Sequence, residues 1–293
     1  MTSRAGNAAA IGRSLILPSF WHAITAPDHD GRETGMGEIQ RQVLNKVPEV
    51  TAAFWVIKIL STTVGETGAD YLAVNVGLGA AVTATLTAGL LAAVLALQVR
   101  ERRYVPWTYW STVVLVSVVG TQVTDILTDK LGVSLFVSTG VFAAALAAVF
   151  ALWYATERTL SIHAIVTRRC EAFYWLAILL TFALGTAAGD LATEALGLGF
   201  NLGVVIFGTI LAALALAWRL GANPVTTFWL AYIVTRPLGA SLGDLLSQAR
   251  EYGGLGFGTA STSLVFFAVI VALVTSLSIV SGRPGEPAGQ RRA

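Results

Sequence analysis

One pattern, written four times at fixed spacing, limits what this chain can fold into. The segments are FWVIKILSTTVGETGADYL, YWSTVVLVSVVGTQVTDIL, YWLAILLTFALGTAAGDLA and FWLAYIVTRPLGASLGDLL. Each opens on an aromatic–Trp pair, places a glycine ten residues after the tryptophan and an aspartate five residues after the glycine. The four sets are Trp55/Gly65/Asp70, Trp110/Gly120/Asp125, Trp175/Gly185/Asp190 and Trp229/Gly239/Asp244. Identical internal spacing at intervals of 55, 65 and 54 residues marks an internal repeat, and a repeat of this length is one supersecondary unit.

The units are apolar. The 293-residue chain is 55% hydrophobic and 12% charged, against about 25% charged in a soluble domain, and its mean hydropathy is +0.70. A helix needs roughly 20 apolar residues to cross a bilayer. Eight such segments are expected, near 50–75, 79–98, 107–128, 134–154, 172–196, 201–218, 225–248 and 259–281. The fold class is therefore an all-α, polytopic integral membrane protein: eight transmembrane helices from four parallel two-helix repeats. The repeats cover about 47–104, 105–167, 168–222 and 223–281, between a cytoplasmic tail (1–46) and a short basic tail (282–293), both expected to be disordered. The true start is either Met1 or Met36. Gly77, Gly132 and Gly197 follow the first, third and fifth spans and suit helix C-termini.

Lysine and arginine set the orientation. Fifteen of the nineteen fall in the tails and in the loops after the second, fourth and sixth spans. Lys130 and Arg250 alone fall on the other side, and Lys58 and Arg236 lie inside spans. The positive-inside rule then puts both termini in the cytoplasm, with the protein in the plasma (inner) membrane. Because each unit has an even number of spans, all four insert the same way up. That favours a pseudo-symmetry axis along the membrane normal and a ring of four motif helices.

The four Trp–Gly–Asp sets, together with KVPEVTAAFW, TLSIHAI and TRPLGAS, resemble a family of uncharacterised bacterial membrane proteins. Its tandem repeat of unknown function occurs four times, each copy with two transmembrane helices and a characteristic tryptophan. The resemblance covers about residues 46–281 and implies the repeat architecture. It brings no activity with it, so function rests on the residues.

The tryptophans Trp55, Trp110, Trp175 and Trp229 read as interfacial anchors at the cytoplasmic helix ends. The glycines Gly65, Gly120, Gly185 and Gly239 belong to small-xxx-small patterns, which let helix backbones approach closely in lipid. The aspartates fall about 10 Å outward from the middle of each helix, where the apolar half-thickness is roughly 15 Å. An ionised carboxylate in lipid is costly and faces the bundle interior, where it needs a proton, a basic group or a bound cation.

The copies differ in their charges. Glu66 replaces Thr121, Thr186 and Ala240, and lies one turn from Asp70 on the same helix face. Lys58 aligns with Val113, Ile178 and Tyr232; Arg236 aligns with Thr62, Ser117 and Phe182. If the ring closes, the first and fourth repeats meet, and an Arg236–Glu66 pair is expected across that seam.

These residues point to a transporter or channel for a small cation or cationic solute. Glu66, Asp70, Asp125, Asp190 and Asp244 would bind the cation or proton, with Lys58 and Arg236 as charge partners. Thr62, Thr63, Ser117, Thr121, Thr181, Thr186, Thr235 and Ser241 could add neutral oxygens. The alternative is a non-transporting membrane sensor, lipid-binding or assembly protein, with a densely packed interior and internally paired acids. An enzyme is not expected, because neither a nucleophile nor a metal set accompanies Glu66 and Asp70. The single cysteine excludes an intrachain disulfide, and no His/Cys spacing suggests zinc. No nucleotide-binding glycine motif and no organic cofactor is indicated, the identity of any bound metal is left open, and a nucleic-acid partner is not expected.

Overall fold

A computed structural model describes residues 45–281. The tails expected at 1–46 and 282–293 lie outside these residues, apart from Asn45 and Lys46. The described residues form eight α-helices: α1 (Ala52–Asp70), α2 (Ala80–Arg100), α3 (Pro106–Asp125), α4 (Leu135–Glu157), α5 (Arg168–Asp190), α6 (Gly199–Arg219), α7 (Pro224–Ser247) and α8 (Thr259–Ser281). Their starts carry the expected signals. Thr51, Ser134, Thr167 and Asn223 cap α1, α4, α5 and α7 with side-chain oxygens, and Pro106 and Pro224 open α3 and α7.

The odd-numbered helices carry the motif and form a closed inner ring. Helix α1 packs on α3, α3 on α5, α5 on α7, and α7 on α1. The even-numbered helices lie outside, each against the inner helix of the following repeat: α2 on α3, α4 on α5, α6 on α7 and α8 on α1. A sequence repeat is therefore not a packing unit. Each outer helix reaches forward, and the last one closes the circle.

Six helical segments are long and apolar enough to cross a membrane: α2, α3 continued to Lys130, α4, α5 continued to Thr193, α6, and α8 over Thr259–Ile279. The eight spans expected from sequence are thus six by this measure. Helices α1 and α7 are not among the six. These two inner helices hold Lys58 and Arg236, both buried among neighbouring helices, so they do not need the lipophilicity of a lipid-facing helix.

At the aspartate end, α1, α3 and α5 each continue from the motif aspartate into one π-helical turn, at Tyr71–Asn75, Ile126–Lys130 and Leu191–Ala195. Gly77, Gly132 and Gly197 then turn the chain back with φ of 78°, 67° and 68°. Helix α7 has no such turn and runs on to Ser247.

Candidate functional site inside the inner ring

The motif glycines set the width of the ring. A Cβ on Gly65 would lie 2.7 Å from Ser117 Oγ, one on Gly120 2.7 Å from Phe182 Cβ, one on Gly185 2.5 Å from Arg236 Cβ, and one on Gly239 2.8 Å from the Ile59 carbonyl and 2.9 Å from Thr62 Cβ. The side chains met are Ser117, Phe182, Arg236 and Thr62, the same repeat position each time. Every inner helix thus presents its glycine to the next in one cyclic contact. Two threonines bridge seams as well: Thr63 Oγ1 donates to the Gly239 carbonyl at 2.7 Å and Thr124 Oγ1 to the Ala183 carbonyl at 3.1 Å.

The aromatic pairs close the ring at its other end. Phe54 meets Trp110 with ring centroids 5.4 Å apart, Tyr109 meets Trp175 at 5.5 Å, Tyr174 meets Trp229 at 6.2 Å, and Phe228 meets Trp55 at 5.7 Å. Each aromatic touches the tryptophan of the next repeat. Trp110, Trp175 and Trp229 are buried and Trp55 half-buried, so the anchors expected to face the membrane interface are turned into the bundle. The physical reason is the second aromatic: two neighbouring residues point about 100° apart on a helix, and tilted contacts with the next repeat shelter both.

Within this layer the hydroxyls of Tyr109 and Tyr174 lie 2.6 Å apart, buried. Tyr109→Phe leaves the Tyr174 hydroxyl without that partner and is expected to cost about 1–3 kcal/mol. The Tyr109→Phe/Tyr174→Phe double variant should recover most of the loss, which denaturation of the four proteins in a double-mutant cycle would measure.

Below the aromatic layer two basic side chains cross the ring. Lys58 extends from α1 to α5, where its Nζ sits 4.0 Å from the centroid of Phe182, and 4.4 Å from that of Tyr232 on α7. Arg236 extends from α7 to α3, donating from Nη2 to Thr121 Oγ1 at 2.7 Å. In the ring order, α5 lies opposite α1 and α3 opposite α7, so the two residues span its two diagonals. Lys58 is 1% exposed and Arg236 0%. Among the described residues Lys58 Nζ has no hydrogen-bond partner.

Most of the hydroxyls expected to line the site are committed locally. Thr62, Thr121, Thr181, Thr186 and Thr235 bond back to carbonyls of their own helices. Thr63 bonds across the seam to Gly239, and Ser117 Oγ is buried with no hydrogen-bond partner among the described residues. Asp125, Asp190 and Asp244 are half-buried at the far end of the ring, the first two at the junction between α-helix and π turn, and each has an interaction partner. Backbones of Glu66 and Asp70 belong to α1, but their side chains lie outside the described residues, and so does the expected Arg236–Glu66 pair. No group of three or more His, Cys, Asp or Glu able to hold a metal occurs among the described residues.

Sequence reasoning missed a buried charged contact. Lys46, just before α1, places Nζ 2.6 Å from Glu171 Oε2 on α5 and 3.1 Å from the Val99 carbonyl on α2. Glu171 is buried. An acid in the first turn of α5, where the helix dipole favours it, was the available signal. Nearby, Trp229 Nε1 donates to the Leu160 carbonyl at 3.0 Å, and burial pushes the His163 imidazole below its ordinary pKa.

A family model described as Repeat of Unknown Function (DUF347) matches residues 53–104, 108–159, 173–221 and 227–282. The chain belongs to this family. Each DUF347 match spans one inner helix and the outer helix that follows it, so the four matches account for all eight helices. Comparison with curated proteins and with solved structures finds no match.

Proposed function

We propose that this DUF347 protein is a multi-pass membrane transporter that moves a small cation, a proton or a cationic solute along the axis of the inner ring. In this reading all eight helices span the plasma (inner) membrane, both termini are cytoplasmic, and the aspartates face the outside. Glu66, Asp70, Asp125, Asp190 and Asp244 supply the negative charge. Lys58 and Arg236 serve as tethered cations that hold the axis when no solute is bound.

The observation that carries this reading is the pair of buried basic side chains lying across the ring. A bundle that had only to stay folded could fill those positions with apolar residues at no loss, because buried charge is expensive in a membrane. Charges kept at such a place mark a solute path. The aromatic layer and the two basic side chains fill the axis, which fits a carrier that opens alternately better than a permanent pore.

The test is flux in liposomes for protons and for mono- and divalent cations. A variant with Asp70, Asp125, Asp190 and Asp244 all changed to Asn should lose flux while remaining folded. A second reading, a non-transporting sensor or assembly protein, is favoured by the same dense axis. It predicts no flux for any ion and only a change of stability in the variant.

A further inference from the structure

We propose that the segment leading into α1 is a releasable strap that closes the tryptophan end of the ring, with the Lys46–Glu171 pair as its latch. Its use as the door of a solute path rests on the transport reading; its release as a unit does not.

Chain connectivity sets where the segment lies. It ends at Thr51, the cap of α1, while Lys46, five residues earlier, bonds to Glu171 in the first turn of α5. Helix α5 stands diagonally opposite α1 in the ring order, so the segment spans that end of the ring from one side to the other. Val47, Pro48 and Val50 are buried along the way.

The backbone of the segment is lightly held. Residues 45–51 form neither helix nor strand. Among the described residues its own hydrogen bonds are local: the Val47 amide donates to Asn45 Oδ1 at 3.4 Å and the Thr51 amide to the Glu49 carbonyl at 3.0 Å. The bonds that tie residues 45–50 to other helices both come from the Lys46 ammonium, to Glu171 Oε2 at 2.6 Å and to the Val99 carbonyl at 3.1 Å. A stretch without backbone bonds to its surroundings opens locally more readily than a helix does.

The latch is suited to release. Glu171 Oε1, the second carboxylate oxygen, is buried with no hydrogen-bond partner among the described residues. A buried ion pair recovers its desolvation cost only when the geometry is good and the remaining lone pairs are satisfied. Here one oxygen is left over, so lifting the strap returns both charges to water and satisfies that oxygen. An apolar pair in the same place would gain nothing from water on opening. The ionic latch gives a closed state that can open, whereas a methionine pair would give one that stays closed.

The experiment reads strap release directly. Val47→Cys in a Cys170→Ala background puts the only thiol of the chain on the strap. Its rate of modification by a water-soluble maleimide is followed in lipid nanodiscs. Glu171→Gln should raise the rate at least tenfold. Phe142→Ala removes a buried side chain from the aspartate half of α4 and also destabilises the fold, yet should leave the rate within twofold. Lys46→Met with Glu171→Met should label at least threefold more slowly than the parent. Equal rates for the parent and Glu171→Gln, or equal acceleration by Phe142→Ala, would overturn the proposal. If Glu171→Gln does not fold, the double methionine variant decides: a rate at or above the parent's would sink it. Rates as expected with no flux of any ion in liposomes would remove the transport reading and leave the strap; flux with unchanged labelling would do the reverse.

Discussion

Glu171→Ala should be among the most damaging single substitutions in this protein, lowering stability by about 3–5 kcal/mol, because it leaves a buried cation without its charge partner. Lys46 Nζ lies 2.6 Å from Glu171 Oε2, with side-chain exposures of 11% and 1%. The contact joins the segment entering α1 to the first turn of α5, across the ring, while Lys46 also holds the C-terminal turn of α2 through the Val99 carbonyl. Three elements from two repeats meet at one ammonium. After Glu171→Ala that ammonium keeps a carbonyl but loses its counter-charge. Replacing both partners by apolar residues of similar size, Lys46→Met with Glu171→Met, should restore most of the loss, since a buried pair is worth little relative to a well-packed apolar substitute. Denaturant unfolding of wild type, both single variants and the double variant in one detergent would measure this. Additive losses would show that the two side chains act separately.

The repeat made much of the architecture legible. Fixed spacing across four segments identified one unit, and two helices per unit required all copies to share an orientation. From there a ring of motif helices followed, and the cyclic glycine contacts are its geometric expression. What the repeat could not convey is the forward stagger of the outer helices. A helix on the lipid side is apolar whichever inner helix it covers, so the packing of α2 on α3 leaves no trace in periodicity. Polar contacts between particular helices carry that information instead: Thr87 Oγ1 on α2 donates to Gln122 Oε1 on α3 at 2.6 Å, and Ser263 Oγ on α8 donates to Thr67 Oγ1 on α1 at 2.6 Å. Gln122 and Thr67 occupy the same position of their repeats.

The tryptophans show how composition misleads when a residue has two common roles. A tryptophan at a helix end suits a membrane interface, and read singly each of the four suggested that. Read with its aromatic neighbour, each belongs to a pair, and Phe54, Tyr109, Tyr174 and Phe228 pack at a tilt against the tryptophan of the next repeat. The departures from the repeat were more informative than the repeat itself. Lys58 and Arg236 stand where the other copies carry neutral residues, and these two cross the ring interior. Sequence placed them at one seam; it could not show that they reach the opposite helices, because side-chain length allows both.

Gly239→Val should open the ring at the seam between its first and last repeats. A Cβ at Gly239 would stand 2.8 Å from the Ile59 carbonyl and 2.9 and 3.0 Å from Thr62 carbons. A backbone carbonyl in a helix cannot turn aside as a flexible side chain can, so α7 and α1 must separate. That separation also breaks the bond from Thr63 Oγ1 to the Gly239 carbonyl and leaves a buried hydroxyl unpaired. Overpacking of this kind costs about 1–3 kcal/mol, and an unsatisfied hydroxyl about 1–3 kcal/mol more. The matched control is Gly68→Ala on α1. No atom of the described residues lies within 4 Å of a Cβ there, and alanine should stabilise the helix by roughly 0.5–1 kcal/mol. Thermal unfolding of the two variants should therefore move in opposite directions from wild type. Equal destabilisation by both would mean that glycine flexibility, not close helix approach, is what the motif needs. A fall confined to Gly239→Val would locate the constraint at the seam, where the fourth repeat returns to the first and the ring becomes a closed object.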